Sequence, residues 1–259
     1  MDHRVRQSCA GGLEAVSPAR QLTMLPWHVQ QVTGDVGAFH GRELPRHERL
    51  ATFFRADAPT LVLGSSQRSE SVDAGAAARQ GIDVVRRRSG GGGVLLWPDE
   101  FVWLDLEIPE GDELWSDDVG RSMWWVGELW RSALRVHEPT ATVHRGRLAT
   151  SRWSADICFA GTGPGEVLVG GVKMVGVSQR RTRYSARFQT MVHLKWRPDV
   201  VASLVAATTS VEGPSAEALA PLVQTSVASA DAITQLLIDA LQAGETVERQ
   251  NDSASAPSM

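Results

Sequence analysis

The sequence has 259 residues, of which 42% are hydrophobic, so it is long enough and apolar enough to bury a core. This composition excludes a disordered or collagen-like chain. Lysine and arginine number 26 against 30 acidic residues, and the resulting net charge of -4 gives no general basic surface for a nucleic acid.

Cysteine and histidine usage gives no sign of a disulfide framework or a metal centre. The two cysteines, Cys9 and Cys158, are too few and too far apart for either. The histidines show neither H-x-x-x-H nor H-E-x-x-H spacing, so we predict no metal site. No apolar run is long enough for a signal peptide or a membrane span, and we expect a cytoplasmic protein without membrane contact.

The two ends of the chain lack a sustained hydrophobic period. We predict a flexible N-terminus over residues 1–20 and a disordered tail over residues 244–259. Between them there is no internal repeat and no long linker. The sequence therefore predicts one catalytic-sized domain over residues 21–243, with helices at its C-terminal end.

The first predicted elements are short. The apolar runs Leu50–Arg55 and Thr60–Leu63 predict two strands, and Pro59 between them predicts the turn of a hairpin. Ser71 and Asp73 are candidate N-caps for a short alanine-rich helix that Gly81 ends, and another strand follows.

A strand and a helix come next. The apolar residues at positions 102, 104, 106 and 108 alternate with Asp105 and Glu107, which predicts a strand buried on one face only. From Asp117 to about His137, apolar residues recur at helical spacing. Strand-like segments then run to about Trp196, and the remainder is rich in alanine and leucine. This order predicts an α+β domain with a mixed or antiparallel central sheet flanked by helices.

A glycine-rich tract follows the strand that ends in arginines. Its glycines permit a close approach of backbone N–H groups to a ligand, and its guanidinium groups favour phosphate or carboxylate. The spacing matches neither a P-loop nor a dinucleotide-binding fingerprint. A simple turn beside solvated arginines is the alternative. The tract comprises Arg86, Arg87, Arg88, Ser89, Gly90, Gly91, Gly92 and Gly93.

Two further residues are candidates for chemistry. Lys173 is a lone lysine in an apolar, glycine-rich stretch, and if it is buried it requires a partner, because an unpaired buried ammonium is costly. Exposure at a strand pair is the alternative. Cys158 lies beside a loop rich in glycine and proline, where its thiol could act as a nucleophile. A small buried hydrophobe is the commoner role of a free cysteine.

Three segments, in this order, resemble the catalytic domain of the lipoate-protein ligase A family, whose relatives include biotin ligases and octanoyltransferases. They are Pro59–Gln67 (PTLVLGSSQ), Arg87–Gly92 (RRSGGG) and Gly171–Arg180 (GVKMVGVSQR), and the resemblance covers roughly residues 50–195.

The resemblance implies an enzyme that attaches lipoate or octanoate to a lysine of lipoyl domains of 2-oxoacid dehydrogenase or glycine cleavage proteins. It implies the biotin/lipoate protein ligase catalytic fold and no nucleic-acid partner. Lys173 then matches the family's essential lysine, which stabilises charge at the acyl carbonyl. The acyl or adenylate site would comprise Arg87, Arg88, Ser89, Gly90, Gly91, Gly92, Gly93, Gly171, Gly176, Ser178 and Gln179.

The family resemblance leaves two routes open. Ligases use ATP with Mg²⁺ to form an acyl-adenylate, whereas one transferase branch uses a cysteine thioester and an acyl carrier protein as donor. Cys158-Phe159 resembles the Cys-Phe pair of that branch. The family's usual His-Asp pair is replaced at about Leu96 and Trp97, and Thr190-Met191 stands where His-Gly often follows. These departures leave a non-catalytic acyl- or nucleotide-binding module as a third hypothesis.

Overall fold

The computed structural model describes residues 25–206 and 213–243. The predicted flexible N-terminus, Cys9 and the predicted tail lie outside the described residues. Within the described ranges, no helix is long and apolar enough to cross a membrane.

Two β-sheets form the centre of the fold. A seven-stranded sheet has the order β1-β2-β6-β10-β9-β8-β7, and a three-stranded sheet has the order β4-β3-β5. Only the β1–β2 and β3–β4 pairs are parallel among the described strands, so the predicted mixed sheet is confirmed. The strands are β1 (Trp27–Gly34), β2 (Arg49–Ala56), β3 (Thr60–Leu63), β4 (Asp83–Arg86), β5 (Val94–Leu96), β6 (Phe101–Pro109), β7 (Thr142–Val143), β8 (Val167–Val169), β9 (Val172–Arg181) and β10 (Ser185–His193).

Helices flank both sheets. They are α1 (Val36–Gly41), α2 (Ala74–Arg79), α3 (Trp124–Leu134), α4 (Pro198–Leu204), α5 (Ala216–Leu219) and α6 (Ala230–Gln242). One core lies between the large sheet and helices α3 and α6, and another lies between the small sheet and helices α2 and α4. A third core, which includes Phe54, Val62 and Trp103, joins the inner faces of the two sheets.

The predicted hairpin between β2 and β3 is wrong. β2 pairs with β1 and β6 in the large sheet, whereas β3 pairs with β4 and β5 in the small one. All four residues of β3 and most of β2 are buried, so neither strand has a polar face for solvent. Phe54 and Val62 meet in the core between the sheets. The short link at Pro59 therefore carries the chain from one layer to the next.

The prediction that β6 is half buried is also wrong, because all nine of its residues are buried. Leu104 and Leu106 pack toward the helices, as expected. The opposite face, which carries Asp105 and Glu107, is covered by α1 and by Arg42. Period-two alternation cannot distinguish charges that face solvent from charges that are buried with arginine partners.

Two helices were predictable from local sequence signals, and the structure confirms the ends of one and shortens the other. The Asp73 carboxylate accepts a hydrogen bond from Ala76 N at 2.7 Å, and Gly81 follows α2 with φ of 63°, so the predicted cap and stop are confirmed. The predicted helix from Asp117 is shorter: α3 begins at Trp124, after a 3-10 turn over Arg121–Met123.

Candidate active site

The inner face of the large sheet carries three rows of side chains. Residues that oppose each other in register project from the same face of a sheet. Across β6, β10 and β9 they form a charged, a polar and an apolar row: Glu107, Arg187 and Arg180; Asp105, Gln189 and Ser178; and Trp103, Met191 and Gly176. The face therefore changes from ionic to apolar along the strand direction.

The charged end of this face is a buried ion cluster. Arg187 Nε donates to Asp105 Oδ2 at 2.6 Å, and Arg42 Nη2 donates to Asp105 Oδ2 at 3.0 Å and to Glu107 Oε1 at 2.6 Å. Burial alone would raise the pKa of Asp105, but Arg187 and Arg42 hold it below its ordinary value. Burial raises the pKa of Glu107 to about 7. These ion pairs fix the side chain of Asp105, which is the first member of the polar row.

A hydrogen-bonded chain connects the glycine-rich tract to the polar row. Arg87 Nε donates to Ser89 Oγ at 3.1 Å, Ser89 Oγ donates to Gln189 Oε1 at 2.6 Å and Ser89 Oγ lies 3.0 Å from Ser178 Oγ. Gln189 Nε2 lies 3.0 Å from His40 Nδ1. Burial lowers the pKa of His40 to about 3, so the imidazole is neutral and Nδ1 accepts the hydrogen bond.

The side chain of Arg87 holds the glycine loop, residues 89–93, from its buried side. Its guanidinium donates to the carbonyl oxygens of Val62 at 3.1 Å, Gly90 at 2.8 Å and Gly92 at 2.9 Å. The side chain is buried, and burial lowers the pKa of Arg87 while the adjacent Cys158 thiol acts in the opposite direction. Because its donors are directed at the protein, Arg87 holds the loop and borders Cys158.

The loop leaves backbone donors free. Within the described residues, the N–H groups of Gly90, Gly91 and Gly92 have no hydrogen-bond acceptor. Gly93 N donates to Asp156 O at 2.8 Å, and Cys158 N donates to Gly93 O at 2.9 Å. These two bonds bring the loop against the segment that contains the cysteine. Unpartnered N–H groups of this kind stabilise negative charge on a phosphate or an oxyanion.

Cys158 stands at an apolar pocket between the two sheets. It begins a 3-10 turn over Cys158–Ala160 and is partly exposed. A Cβ atom built on Gly91 would lie 3.9 Å from the Cys158 sulfur. The pocket is lined by Arg87, Val94, Trp103, Cys158, Phe159, Gly176, Val177, Ser178, Gln189, Thr190 and Met191.

Lys173 is buried and paired. Its Nζ lies 2.8 Å from both carboxylate oxygens of Glu166 and donates to the Cys158 carbonyl oxygen at 2.6 Å. The Glu166 carboxylate also accepts from Gly163 N at 2.7 Å and Val177 N at 3.3 Å. Burial raises the pKa of Glu166, and Lys173 opposes that effect. The expectation that a buried lysine requires a partner is confirmed. Within the described residues, Lys173 has no direct hydrogen bond to the glycine loop but is connected to it by hydrogen bonds through the backbone of Cys158.

Some predicted site residues lie elsewhere. Gly170 and Gly171 form the turn between β8 and β9, with φ of 58° and 83°. Gln179 is on the outer face of β9, where its Oε1 accepts from Ser122 Oγ at 3.2 Å. Arg88 is exposed beside the loop. The structure therefore brings together Ser89, the glycine loop, Cys158, Lys173, Gly176 and Ser178, but it does not bring Gly171 or Gln179 to the pocket.

Sequence reasoning missed Glu166, Trp103, Gln189, Met191 and His40. Gln189 and Met191 share the inner face of β10, and a register with β9 would have placed them next to Ser178 and Gly176. No local pattern marks Glu166 as the partner of Lys173. Among the described residues, no group of three or more His, Cys, Asp or Glu side chains is placed to hold a metal ion.

A second apolar pocket borders the end of the glycine loop. Phe159 and Gly93 border it, and its walls include Trp196 and Leu204. His193 stands in this wall, with ring centroids 4.7 Å from Phe159 and 5.1 Å from Trp196. Burial lowers the pKa of His193 to about 3. No lysine or arginine belongs to the described lining, so this pocket has no cationic side chain that could bind a phosphate.

Residues 39–242 match the family described as the lipoyl protein ligase A/B catalytic domain. No curated protein sequence gives a significant match. Among solved structures, one from a structural analysis of an archaeal lipoylation system, a bi-partite lipoate protein ligase and its E2 lipoyl domain from Thermoplasma acidophilum, is 15% identical with a TM-score of 0.63 over 84% of this chain and 82% of that chain.

Two other solved structures share the fold. Protein Ta0514 from T. acidophilum, with bound lipoic acid, is 15% identical with a TM-score of 0.59, over 84% of each chain. A lipoate-protein ligase A bound with ATP is 14% identical with a TM-score of 0.59, again over 84% of each chain. The fold expected from the sequence is therefore confirmed.

Proposed function

The chain belongs to the family of lipoyl protein ligase A/B catalytic domains, which are enzymes, and we propose that it transfers a lipoyl or octanoyl group to a lysine of a lipoyl domain. The observation that carries this proposal is the juxtaposition of the glycine loop, the Cys158 thiol and an apolar pocket between the sheets. The pocket would hold the acyl chain, and the loop would face its activated carboxyl carbon.

A thioester at Cys158 is the route that the geometry supports best. The thiolate attacks the carbonyl carbon of an acyl thioester donor, and the donor leaves as a free thiol. The amine of the acceptor lysine then attacks the Cys158 thioester, which forms the amide and regenerates the cysteine. The thiol's position beside the cationic Arg87, at the border of the apolar pocket, supports this sequence of steps.

The glycine loop and Lys173 would have different tasks in this reaction. Both tetrahedral intermediates carry an oxyanion next to the Cys158 sulfur, and the unpartnered N–H groups of Gly90, Gly91 and Gly92 would donate to it. Lys173 holds the Cys158 carbonyl, and Glu166 holds Lys173, so this pair would orient the nucleophile.

An ATP-dependent ligase is the second candidate, and the same free N–H groups favour it because they suit a phosphate. In this route lipoate or octanoate would react with MgATP to form an acyl-adenylate. Lys173 would contact the acyl or phosphate oxygens. In the described structure, however, its ammonium contacts three acceptors, two on Glu166 and one on Cys158, so the ligase route requires at least one of these contacts to break.

The proposed acceptors are lipoyl domains of 2-oxoacid dehydrogenase or glycine cleavage proteins, and an octanoyl acyl carrier protein is the proposed donor. The structurally similar archaeal ligase belongs to a lipoylation system that includes its own E2 lipoyl domain, and this supports the choice of acceptor. The net charge of -4 gives no support to a nucleic-acid partner.

Intact mass of the acceptor separates the hypotheses. The protein is mixed with an apo-lipoyl domain and either octanoyl carrier protein without ATP, or octanoate or lipoate with MgATP. Acceptor modification in the first mixture supports the thioester route, and modification in the second alone supports the ligase. If neither mixture modifies the acceptor while octanoate still binds the protein, the chain is a binding module and the proposed function is wrong.

A further inference from the structure

We propose that Trp103 limits the length of the acyl chain that this protein accepts. The inference rests on the proposed function, because it takes the pocket beside Cys158 as the acyl site. It concerns a different property, however, namely which chain lengths fit. Trp103 is buried, belongs to the pocket lining and stands on β6, whereas the cysteine segment lies over β9.

The pocket runs across the strands of the large sheet. Phe159, next to Cys158, lies over β9, because a Cβ atom on Gly176 would be 3.3 Å from its ring. Gly176 opposes Met191 on β10, and Met191 opposes Trp103 on β6. Two strand spacings separate Gly176 from Trp103, so the distance across the sheet between them is about 10 Å. A chain attached at Cys158 therefore reaches Trp103 after crossing β10.

Trp103 is a fixed wall. Its indole Nε1 donates to Asp105 Oδ1 at 2.7 Å, and Asp105 is held in turn by Arg187. The indole also meets the ring of His40 edge-on, with centroids 5.2 Å apart. Moving the side chain would leave a buried carboxylate without one of its donors, which is costly. The ion cluster thus makes the end of the pocket rigid.

Met191 is the adaptable part of the same row. It is buried between Gly176 and Trp103, and an unbranched thioether side chain changes shape more easily than an indole. Its rearrangement would open space for a chain of medium length, which would still stop at Trp103. A longer chain that runs along this row would therefore meet the fixed indole of Trp103.

Direct binding of fatty acids tests this limit independently of acyl transfer. Dissociation constants of hexanoate, octanoate, decanoate, dodecanoate and palmitate are measured by calorimetry for the wild type, Trp103→Ala and the milder Trp103→Leu. Leu104→Ala is the matched control, because Leu104 is the next residue of β6 and its side chain enters the core on the opposite face. Melting temperatures establish that each variant is folded, and Trp103→Leu replaces Trp103→Ala if the latter does not fold.

The wild type is expected to bind octanoate more tightly than dodecanoate. In the Trp103 variants each methylene that gains access should tighten binding about fourfold, so dodecanoate should gain about tenfold or more. Leu104→Ala should keep the wild-type order. An unchanged order in both Trp103 variants would overturn the inference and leave the proposed function intact. If no acid binds the wild type, the pocket assignment is wrong, and the inference is overturned with it.

Discussion

Lys173 and Glu166 form a buried ion pair in which the ammonium lies 2.8 Å from each carboxylate oxygen, and both side chains are almost fully excluded from solvent. The third contact of the ammonium is the carbonyl oxygen of Cys158. The pair therefore ties β9 to the turn that presents the thiol. Its effects on stability and on acyl transfer are separable by mutation.

Removal of one member of this pair should destabilise the fold strongly. Lys173→Met leaves the Glu166 carboxylate buried without its cation, which should cost about 3–5 kcal/mol of unfolding free energy. The double variant Lys173→Met/Glu166→Leu should recover much of that stability and remain inactive. Urea unfolding and acceptor acylation measure the two properties. Full activity of the stable double variant would show that the pair has no part in the reaction.

Cys158→Ser should retain the fold and lose ATP-independent transfer. The side chain is partly exposed and the change is small, so the melting temperature should hardly move. The rate of octanoyl transfer from carrier protein should fall at least about a thousandfold, as expected for a missing nucleophile. Ala155→Ser, at an exposed position of the same segment, is the control and should keep full activity. Unimpaired transfer by Cys158→Ser would remove the thioester route.

The glycine loop should tolerate no side chain at Gly64. A Cβ atom there would lie 1.7 Å from the carbonyl oxygen of Gly91, so the loop must shift. Gly64→Ala should cost about 3 kcal/mol of unfolding free energy and should reduce acyl transfer. Gly41→Ala meets nothing within 4 Å and should change stability by less than about 1 kcal/mol. Equal stability of the two variants would contradict the packing described for the loop.

His193 should make stability depend on pH. Its pKa falls from 6.5 to about 3 on folding because the ring is buried. The native state therefore binds fewer protons than the unfolded state between these values. The resulting stabilisation is complete above pH 6.5 and is lost as the pH falls toward 3, by up to about 1.4 kcal/mol per unit.

The variant His193→Phe isolates this effect from that of His40. It keeps an aromatic ring between Phe159 and Trp196 but removes the titrating group. Unfolding free energies across the acidic range should fall less steeply for the variant than for the wild type. Parallel curves would show that His193 does not titrate on unfolding.

Elements with local signals could be predicted from the sequence. The Asp73 side chain caps α2 by accepting a hydrogen bond from the backbone N–H three residues later, and Gly81 ends the helix through its backbone conformation, so neighbouring residues determine both events. The apolar runs that adjoin the glycine loop likewise predict its position between two strands. The order of three motifs was enough to identify the family.

Contacts between distant segments could not be predicted in this way. β2 and β3 are adjacent in sequence, yet they belong to different sheets, because strand pairing depends on partners that lie far along the chain. The requirement for a partner of Lys173 followed from the cost of burial, but its identity as Glu166 follows only from the pairing of β8 with β9. Trp103 could not be predicted as a pocket residue, because nothing in the sequence of its strand distinguishes a pocket wall from a core residue.

Intact mass of the protein itself tests the thioester account most directly. The protein is incubated with octanoyl carrier protein in the absence of ATP and acceptor, and the modified peptide is then mapped. We expect one octanoyl group on Cys158 that moves to the lipoyl-domain lysine when the apo-acceptor is added. An unmodified Cys158, together with acceptor octanoylation that requires MgATP, would contradict the account.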